Sequence, residues 1–281
     1  MGFPPSVIGV VLARGGSKRI PSKNSRIMAG KPLVVWTIEA ALASRSLSRL
    51  IVSTDDAQIA ELARRAGAEV PFIRPSELAG DSVPSIDVVL HAAAWLSQME
   101  NATADYIMCL HPTSPLRSAQ DIDGAIELAV AKDADSVIGV SEASVTTHPL
   151  RALRRNADGT VESWYDNDMQ HAAGQDLPEA FCPNGAIMLA RTSFLQAHRS
   201  WIGKSTYPYI MPAERSVDVD TELDFCLTEF LFGYLNANGK TRQVEDAPER
   251  SLCGSPLKKS DGSFRSSAFL GGMAHAKREG D

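Results

Sequence analysis

The chain has 281 residues, a formal net charge of −6, 44% hydrophobic and 22% charged residues. That length accommodates one large α/β domain or a domain with an appendage, and the acidic balance argues against general nucleic-acid binding. No stretch reads as a signal peptide or a membrane span, and the four cysteines form no C-x-x-C pair, so neither a zinc site nor a disulfide framework is expected. Cys109 and Cys226 lie in apolar runs and read as core residues of a protein kept in a reducing, cytoplasmic compartment.

In chain order, Val7–Leu12 is a continuous apolar run, the pattern of a strand buried on both faces. It opens into a loop with Gly15, Gly16, Pro21 and Gly30, carrying Arg14, Lys18, Arg19, Lys23, Arg26 and Lys31, with no acidic residue before Glu39. Glycines let backbone N–H groups approach an anion and cations neutralise it, so this loop reads as a nucleotide triphosphate site. Leu33 to Ala43 reads as a helix with Val34, Ile38 and Leu42 on one stripe. A strand at Leu50–Val52 follows, then a helix from Ala57 to Ala66 stopped by Gly67. A short strand at Val70–Ile73 precedes a long helix, Val83 to Met99, with Ile86, Leu90 and Ala94 on one side. Tyr106–Leu110 is a strand, Ile122–Ala131 a helix and Ser136–Val140 a strand.

This alternation predicts a parallel sheet sandwiched by helices. Ligands on such sheets bind beyond the carboxyl ends of the strands. Polar or glycine-rich stretches follow Leu12, Val52 and Leu110, so three strand ends converge on one expected site. From Ser141 to Pro183 the rhythm breaks; Asn156-Ala157-Asp158-Gly159 is a hairpin turn within an insertion that leaves the sheet. Ala186–Ala190 and Tyr207–Met211 return as strands, and a helix runs from about Thr221 to Leu235. Residues 241–281 form a polar tail, read as mobile.

Gly15-Gly16-Ser17-Lys18 is not a Walker loop, which needs G-x-x-x-x-G-K-[ST], nor a G-x-G-x-x-G turn. The string Leu12 to Asn24, L-A-R-G-G-S-K-R-I-P-S-K-N, closely resembles the opening motif of the CMP-acylneuraminate (sialic and nonulosonic acid) cytidylyltransferase family. The resemblance runs from about Val7 to Leu235. It includes Val52-Ser53-Thr54-Asp55, Arg74-Pro75 with Leu78-Ala79-Gly80-Asp81-Ser82, Pro112 to Arg117, Pro183 to Ile187 and Ser216 to Asp224.

The resemblance implies a three-layer, Rossmann-like, mostly parallel sheet of the nucleotide-diphospho-sugar transferase type, over residues 1–240, with residues 141–183 as a dimerisation arm. It implies transfer of CMP from CTP to the anomeric hydroxyl of a nine-carbon α-keto acid sugar, with release of pyrophosphate. By resemblance, Ala13, Arg14, Gly15, Gly16, Ser17, Lys18 and Lys23 form the triphosphate cradle. Asn24, Arg74 and Ser82 serve the cytidine, and His111, Thr113, Ser114, Arg151 and Asn184 the sugar side. Arg117 is expected to anchor its loop, while Arg19, Arg26 and Lys31 fall to supporting or surface roles.

Asp218 and Asp220, at i and i+2 in an extended segment, point to one side. Such a pair suits Mg2+, which uses few protein oxygens beside phosphate and water, and Asp218 also suits a general base. Asp220 or Thr221 equally suits capping of the following helix, and the two uses can coexist. Ala173-Gly174 and Cys182 stand where the family commonly carries basic residues, with Arg151 or His171 available to replace a lost carboxylate contact. This widens the sugar choice from N-acetylneuraminate to a legionaminic-type acid. The alternatives are a cytidylyltransferase for another acidic sugar, such as KDO or pseudaminic acid, and a non-catalytic nucleotide-binding protein. The expected partners are CTP, an acidic keto sugar and a second copy of the chain, with neither nucleic acid nor membrane.

Overall fold

The computed structural model describes residues 5–165 and 172–237. The 241–281 tail and His171 lie outside the described residues. The first strand, β1 (Val7–Leu12), has five of its six residues buried. Its side chains alternate: Val7 and Val11 enter one apolar cluster, Ile8 and Val10 the other. Fully burying each such side chain contributes about 1.5–3 kcal/mol, so a charge at Val10 or Val11 would break the strand.

After a two-residue ribbon, β2 (Ile27–Met28) and β3 (Lys31–Pro32), come α1 (Leu33–Leu42), β4 (Arg49–Ser53) and α2 (Ala57–Arg65). Asp56 caps α2 by accepting from the N–H groups of Gln58 and Ile59. Then follow α3 (Ser85–Glu100), β5 (Tyr106–Leu110), α4 (Ala119–Ala131) and β6 (Ser136–Glu142). A hairpin, β7 (Leu153–Arg155) and β8 (Val161–Ser163), stands apart from the main sheet. The chain returns through β9 (Phe181–Arg191), α5 (Thr192–His198), β10 (Thr206–Ile210) and α6 (Glu222–Ala237).

The main sheet has six strands in the order β10-β6-β9-β5-β1-β4. β1 is parallel to β4 and β5, and β10 is parallel to β6; β9 is antiparallel to both its neighbours, β5 and β6. The inserted direction of β9 brings its beginning to the end of the sheet where β1, β4 and β5 finish. Residues of α1, α2 and α4 fill one apolar layer and residues of α3 and α5 the other. The expected three-layer, mostly parallel sheet is present. A third cluster joins Ile20, Met28 and Leu33 to Val219 and Phe225, so α6 is welded to the basic loop.

Several local expectations are corrected. Val70–Ile73 is not a strand: pairing stops at a single bridge between Ile51 and Glu69, and Pro71 has no N–H to extend it. Leu42 is exposed; the buried stripe of α1 is Leu33, Val34, Thr37, Ile38 and Ala41. Ala94 is exposed, and α3 packs through Ile86, Val88, Val89, Ala92 and Leu96. Cys226 is exposed on α6, whereas Cys109 is in the core with its thiol pushed up to about 12 by burial. The segment that leaves the sheet is shorter than 141–183, because β6 extends to Glu142 and β9 begins at Phe181. The helix α5 carries too short a pattern to read from the sequence.

Candidate active site

A cavity of about 550 Å³ opens beyond the carboxyl ends of β1, β4 and β5. Its lining includes Arg14, Lys18, Arg19, Lys23 and Arg74 against two carboxylates, Asp81 and Asp220. Such an excess of positive charge in a concave site concentrates polyanions.

The loop after β1 is held from three sides. The Ala13 N–H donates to the Ser53 carbonyl at 3.1 Å, carrying the ladder one step past the strand. The Gly15 N–H donates to Asp55 Oδ1 at 2.9 Å. Asn24 is buried and its Nδ2 donates to the Arg14 carbonyl at 2.8 Å. Gly15 is required by contact: a Cβ there would lie 2.8 Å from the Asp56 Cβ. The Gly15 N–H, expected in the phosphate cradle, is therefore committed to Asp55. Among the described residues nothing accepts from Gly16 or Ser17, whose amides remain available.

Below the loop, Lys23 reaches the Asp218–Asp220 segment. Its Nζ donates to the Val219 carbonyl at 2.7 Å and pairs with Asp220 Oδ1 at 3.1 Å. Arg19 Nη1 pairs with Asp220 Oδ2 at 2.6 Å. Arg26, by contrast, pairs with Glu222 at 2.6 Å and lies over the Phe225 ring, and Lys31 pairs with Glu39; both serve as supports, as expected. Arg19 does more than the supporting part expected of it, since it lines the cavity.

The Asp218–Asp220 segment is fixed independently. The Val219 N–H donates to the Thr113 carbonyl at 2.7 Å. Arg215 makes a bidentate pair with buried Asp121 at 2.8 and 2.9 Å, tying the segment's approach to the start of α4. Helix α6 is capped by Thr221 and Asp224: the Thr221 N–H donates to Asp224 Oδ2 at 2.7 Å, and the Asp224 N–H donates back to Thr221 Oγ1 at 3.3 Å. Capping thus falls to Thr221, and the carboxylate of Asp220 faces the cavity. Burial on one side holds the Asp218 carboxyl above the usual carboxylate range, a hydrogen bond from Thr113 opposes this, and Asp220 adds to it. At Gly185 the backbone has φ +70° and passes close to Asp218; a Cβ would come within 4.0 Å of Asp218 Oδ1.

On the nucleoside side, the Arg74 N–H donates to the Thr54 carbonyl at 2.7 Å, and its Nε to Ser53 Oγ at 3.0 Å. Burial pushes this guanidinium down to about 10, opposed by Asp55. It faces the cavity as a cation with no carboxylate in bonding contact among the described residues. His111 also lines the cavity, its imidazole lowered to about 4 by burial and by Arg117. Arg117 is fully enclosed, donating to the Ala186 carbonyl at 2.6 Å and to Thr37 Oγ1 at 3.0 Å, which is the anchoring part expected of it.

Of the residues singled out from the sequence, Arg14, Ser17, Lys18, Lys23, Asn24, Arg74, His111, Thr113 and Asp220 line the cavity. Ala13, Gly15 and Gly16 shape the loop behind it. Ser82 points out on an exposed turn. Ser114 is buried, with its hydroxyl on the Asn184 carbonyl at 3.4 Å. Asn184 is buried too, bonded to Ser216 Oγ at 3.0 Å and to the Ala186 N–H at 3.0 Å, so it braces the Asp218 segment. Arg151 sits on the arm and donates to the Ala172 carbonyl, away from this cavity. Asp81 and Asp55 gained no role from the sequence; each is a common residue whose partner lies far along the chain.

The cytidylyltransferase family model matches residues 8–175. The CMP-N,N'-diacetyllegionaminic acid synthase of Legionella pneumophila (strain Philadelphia 1) is 35% identical over 233 residues, covering 80% of this chain and 95% of that protein. The chain belongs to the cytidylyltransferase family. The N-acylneuraminate cytidylyltransferase of Escherichia coli O18:K1:H7 is 32% identical over 220 residues, which span 78% of this chain and 50% of that protein. The fold matches the structure of CMP:2-keto-3-deoxy-manno-octonic acid synthetase complexed with CTP, at TM-score 0.60 and 16% identity, over 83% of this chain and 99% of that one. Membership of this family agrees with a nucleotidyltransferase site at the strand ends. Among the described residues no helix is long and apolar enough to cross a membrane.

Proposed function

We propose that this cytidylyltransferase transfers CMP from CTP to the anomeric hydroxyl of a nine-carbon α-keto acid sugar and releases pyrophosphate. The observation that carries the reading is the meeting of Arg14, Lys18, Arg19 and Lys23 with Asp220 in one cavity, in a chain matching a legionaminic acid synthase over nearly that protein's whole length. The hydroxyl oxygen bonds to the α-phosphorus, the bond from that phosphorus to the bridging oxygen of the β-phosphate breaks, and the hydroxyl proton leaves to a base. Arg14, Lys18 and Lys23 bind the triphosphate and stabilise the charge that builds on the departing pyrophosphate. The amides of Gly16 and Ser17, which have no acceptor among the described residues, are available to the same anion. Asn24 and Arg74 bound the nucleoside side, with His111 and Thr113 beyond them.

Asp218 and Asp220 would hold Mg2+. Such an ion takes one or two protein carboxylates and completes its shell with phosphate and water. When bound, the ion would polarise the α-phosphate and lower the pKa of the attacking hydroxyl. Asp218, whose carboxyl is held above its usual value chiefly by desolvation, would accept the hydroxyl proton.

The loss of basic residues at Ala173-Gly174 and Cys182 favours a legionaminic-type acid over N-acetylneuraminate. The arm carries Leu153, Val161 and Trp164, each more than half exposed, an apolar surface suited to a second copy. In such a cytoplasmic homodimer, Arg151, which does not reach the cavity of its own chain, is available to a partner's sugar pocket. Pyrophosphate release from CTP with Mg2+ across a panel of N-acetylneuraminate, legionaminic, pseudaminic and eight-carbon keto acids tests the reading. Release with a legionaminic-type acid is expected. Release with none of them would remove the proposal.

A further inference from the structure

Two of the cavity's cations already share one carboxylate, which offsets half of their charge. Arg14 Nη1 lies 2.6 Å from Asp81 Oδ1, and Lys18 Nζ pairs with Asp81 Oδ2. One carboxylate thus presents both oxygens to two cations, the arrangement a non-bridging oxygen pair of a phosphate would adopt. Asp81 follows the short helical turn Ser76–Leu78, and Gly80, Asp81 and Ser82 are all exposed. Contact with Lys18 and Arg14 holds its carboxyl below the usual range.

We infer that Asp81 is an internal counter-anion that a polyphosphate must displace, and so a residue that sets which ligands the site accepts. This rests on the CTP reading of the same cavity. A ligand that uses Arg14 and Lys18 binds only the fraction of molecules in which Asp81 has let go, and its apparent affinity falls by that fraction. A ligand with one negative charge exchanges one anion for another and gains little. A triphosphate or pyrophosphate brings several charges in place of one and shifts the exchange in its favour. A nucleoside does not touch the pair and is indifferent to it. All three side chains keep solvent contact, so the pair opens readily, and the freed carboxylate is hydrated on its exposed turn. The second internal anion, Asp220, differs: its N–H donates to Asp224 Oδ2 in the first turn of α6, and its two oxygens are held separately by Lys23 and Arg19.

The test is equilibrium titration of the wild type, Asp81→Asn and Asp81→Glu with CTP, inorganic pyrophosphate and cytidine, without metal, at low and high salt. Asp81→Asn is expected to bind CTP and pyrophosphate roughly five- to tenfold more tightly, with the gap closing as salt rises. Cytidine affinity should not change, and Asp81→Glu should resemble the wild type. Equal or weaker binding of both anions by Asp81→Asn overturns the inference, as does an equal gain for cytidine. Asp81→Ser, also lacking the carboxylate, must reproduce the asparagine result, and melting curves confirm the fold of each variant. Should pyrophosphate show the gain while CTP binds to neither protein, the nucleotide reading fails and the part assigned to Asp81 stands. Should neither anion bind to any of the proteins, both fall.

Discussion

Lys23 and Asp220 are 197 positions apart in sequence, yet the lysine Nζ sits 3.1 Å from the aspartate Oδ1 and 2.7 Å from the carbonyl next to it. This one side chain, only 12% exposed, joins the phosphate-binding loop to the segment proposed to hold the metal. Replacing Lys23 with Met removes a cation and leaves the Val219 carbonyl without its donor. The expected loss in kcat/KM is on the order of a hundredfold or more. Lys23→Arg should recover little of it, because a planar guanidinium does not fit a site built for a compact ammonium. Steady-state kinetics with CTP as the varied substrate measure both.

Asp220 and Thr221 adjoin but have separate tasks. Thr221→Ala removes the α6 cap and should lower stability by about 1 kcal/mol, with turnover retained. Asp220→Ala and Asp218→Ala should each abolish most turnover while changing the melting temperature little. Unchanged turnover in either aspartate variant would remove the metal assignment. Paired melting curves and turnover assays separate the two kinds of effect.

Gly15 and Gly16 are adjacent glycines with opposite tolerance. A Cβ at Gly15 would meet Asp56 at 2.6–2.8 Å, and one at Gly16 would meet nothing within 4 Å. Gly15→Ala must push the loop off the start of α2, at an expected cost of about 1–3 kcal/mol together with weaker CTP binding. Gly16→Ala should fold with wild-type stability. Chemical denaturation of the two variants decides this.

His111 makes stability depend on pH. In the unfolded chain it takes up a proton near 6.5, whereas in the folded protein it stays neutral down to about 4, chiefly through burial. The unfolded state therefore binds more protons in this window, and stability falls as pH drops from about 6.5 to about 4. Its contribution is intact above that window. The ceiling is about 3 kcal/mol, reduced because the ring edge facing the open cavity is solvated. His111→Gln should flatten this part of the pH–stability curve, and a curve of unchanged shape would contradict the burial of the imidazole.

Much of this arrangement was legible before folding. The Val7–Leu12 run, the glycines and cations after it, and the polar breaks after Val52 and Leu110 are local patterns, and each lies where the sheet required. The direction of β9 was not legible, because an apolar strand reads the same whichever way it runs. Nor was the exposure of Leu42 and Ala94: a helical stripe drawn from spacing alone leaves its edges uncertain by one residue, and the neighbouring elements choose the face. Val70–Ile73 had the composition of a strand, but Pro71 has no N–H with which to carry the pairing past Glu69.

By itself the sequence determined the layered α/β class, the strand-end position of the site and the cationic character of its first loop, since these depend on short-range periodicity and residue chemistry. Only the tertiary structure decided which charges meet. It committed the Gly15 amide to Asp55, gave the cap to Thr221 rather than Asp220, and set Asp81 against Arg14 and Lys18. Those pairings join residues far apart along the chain, and a carboxylate carries no local mark of the cation it will find; that is fixed only when the helices pack and bring the loops to one end of the sheet.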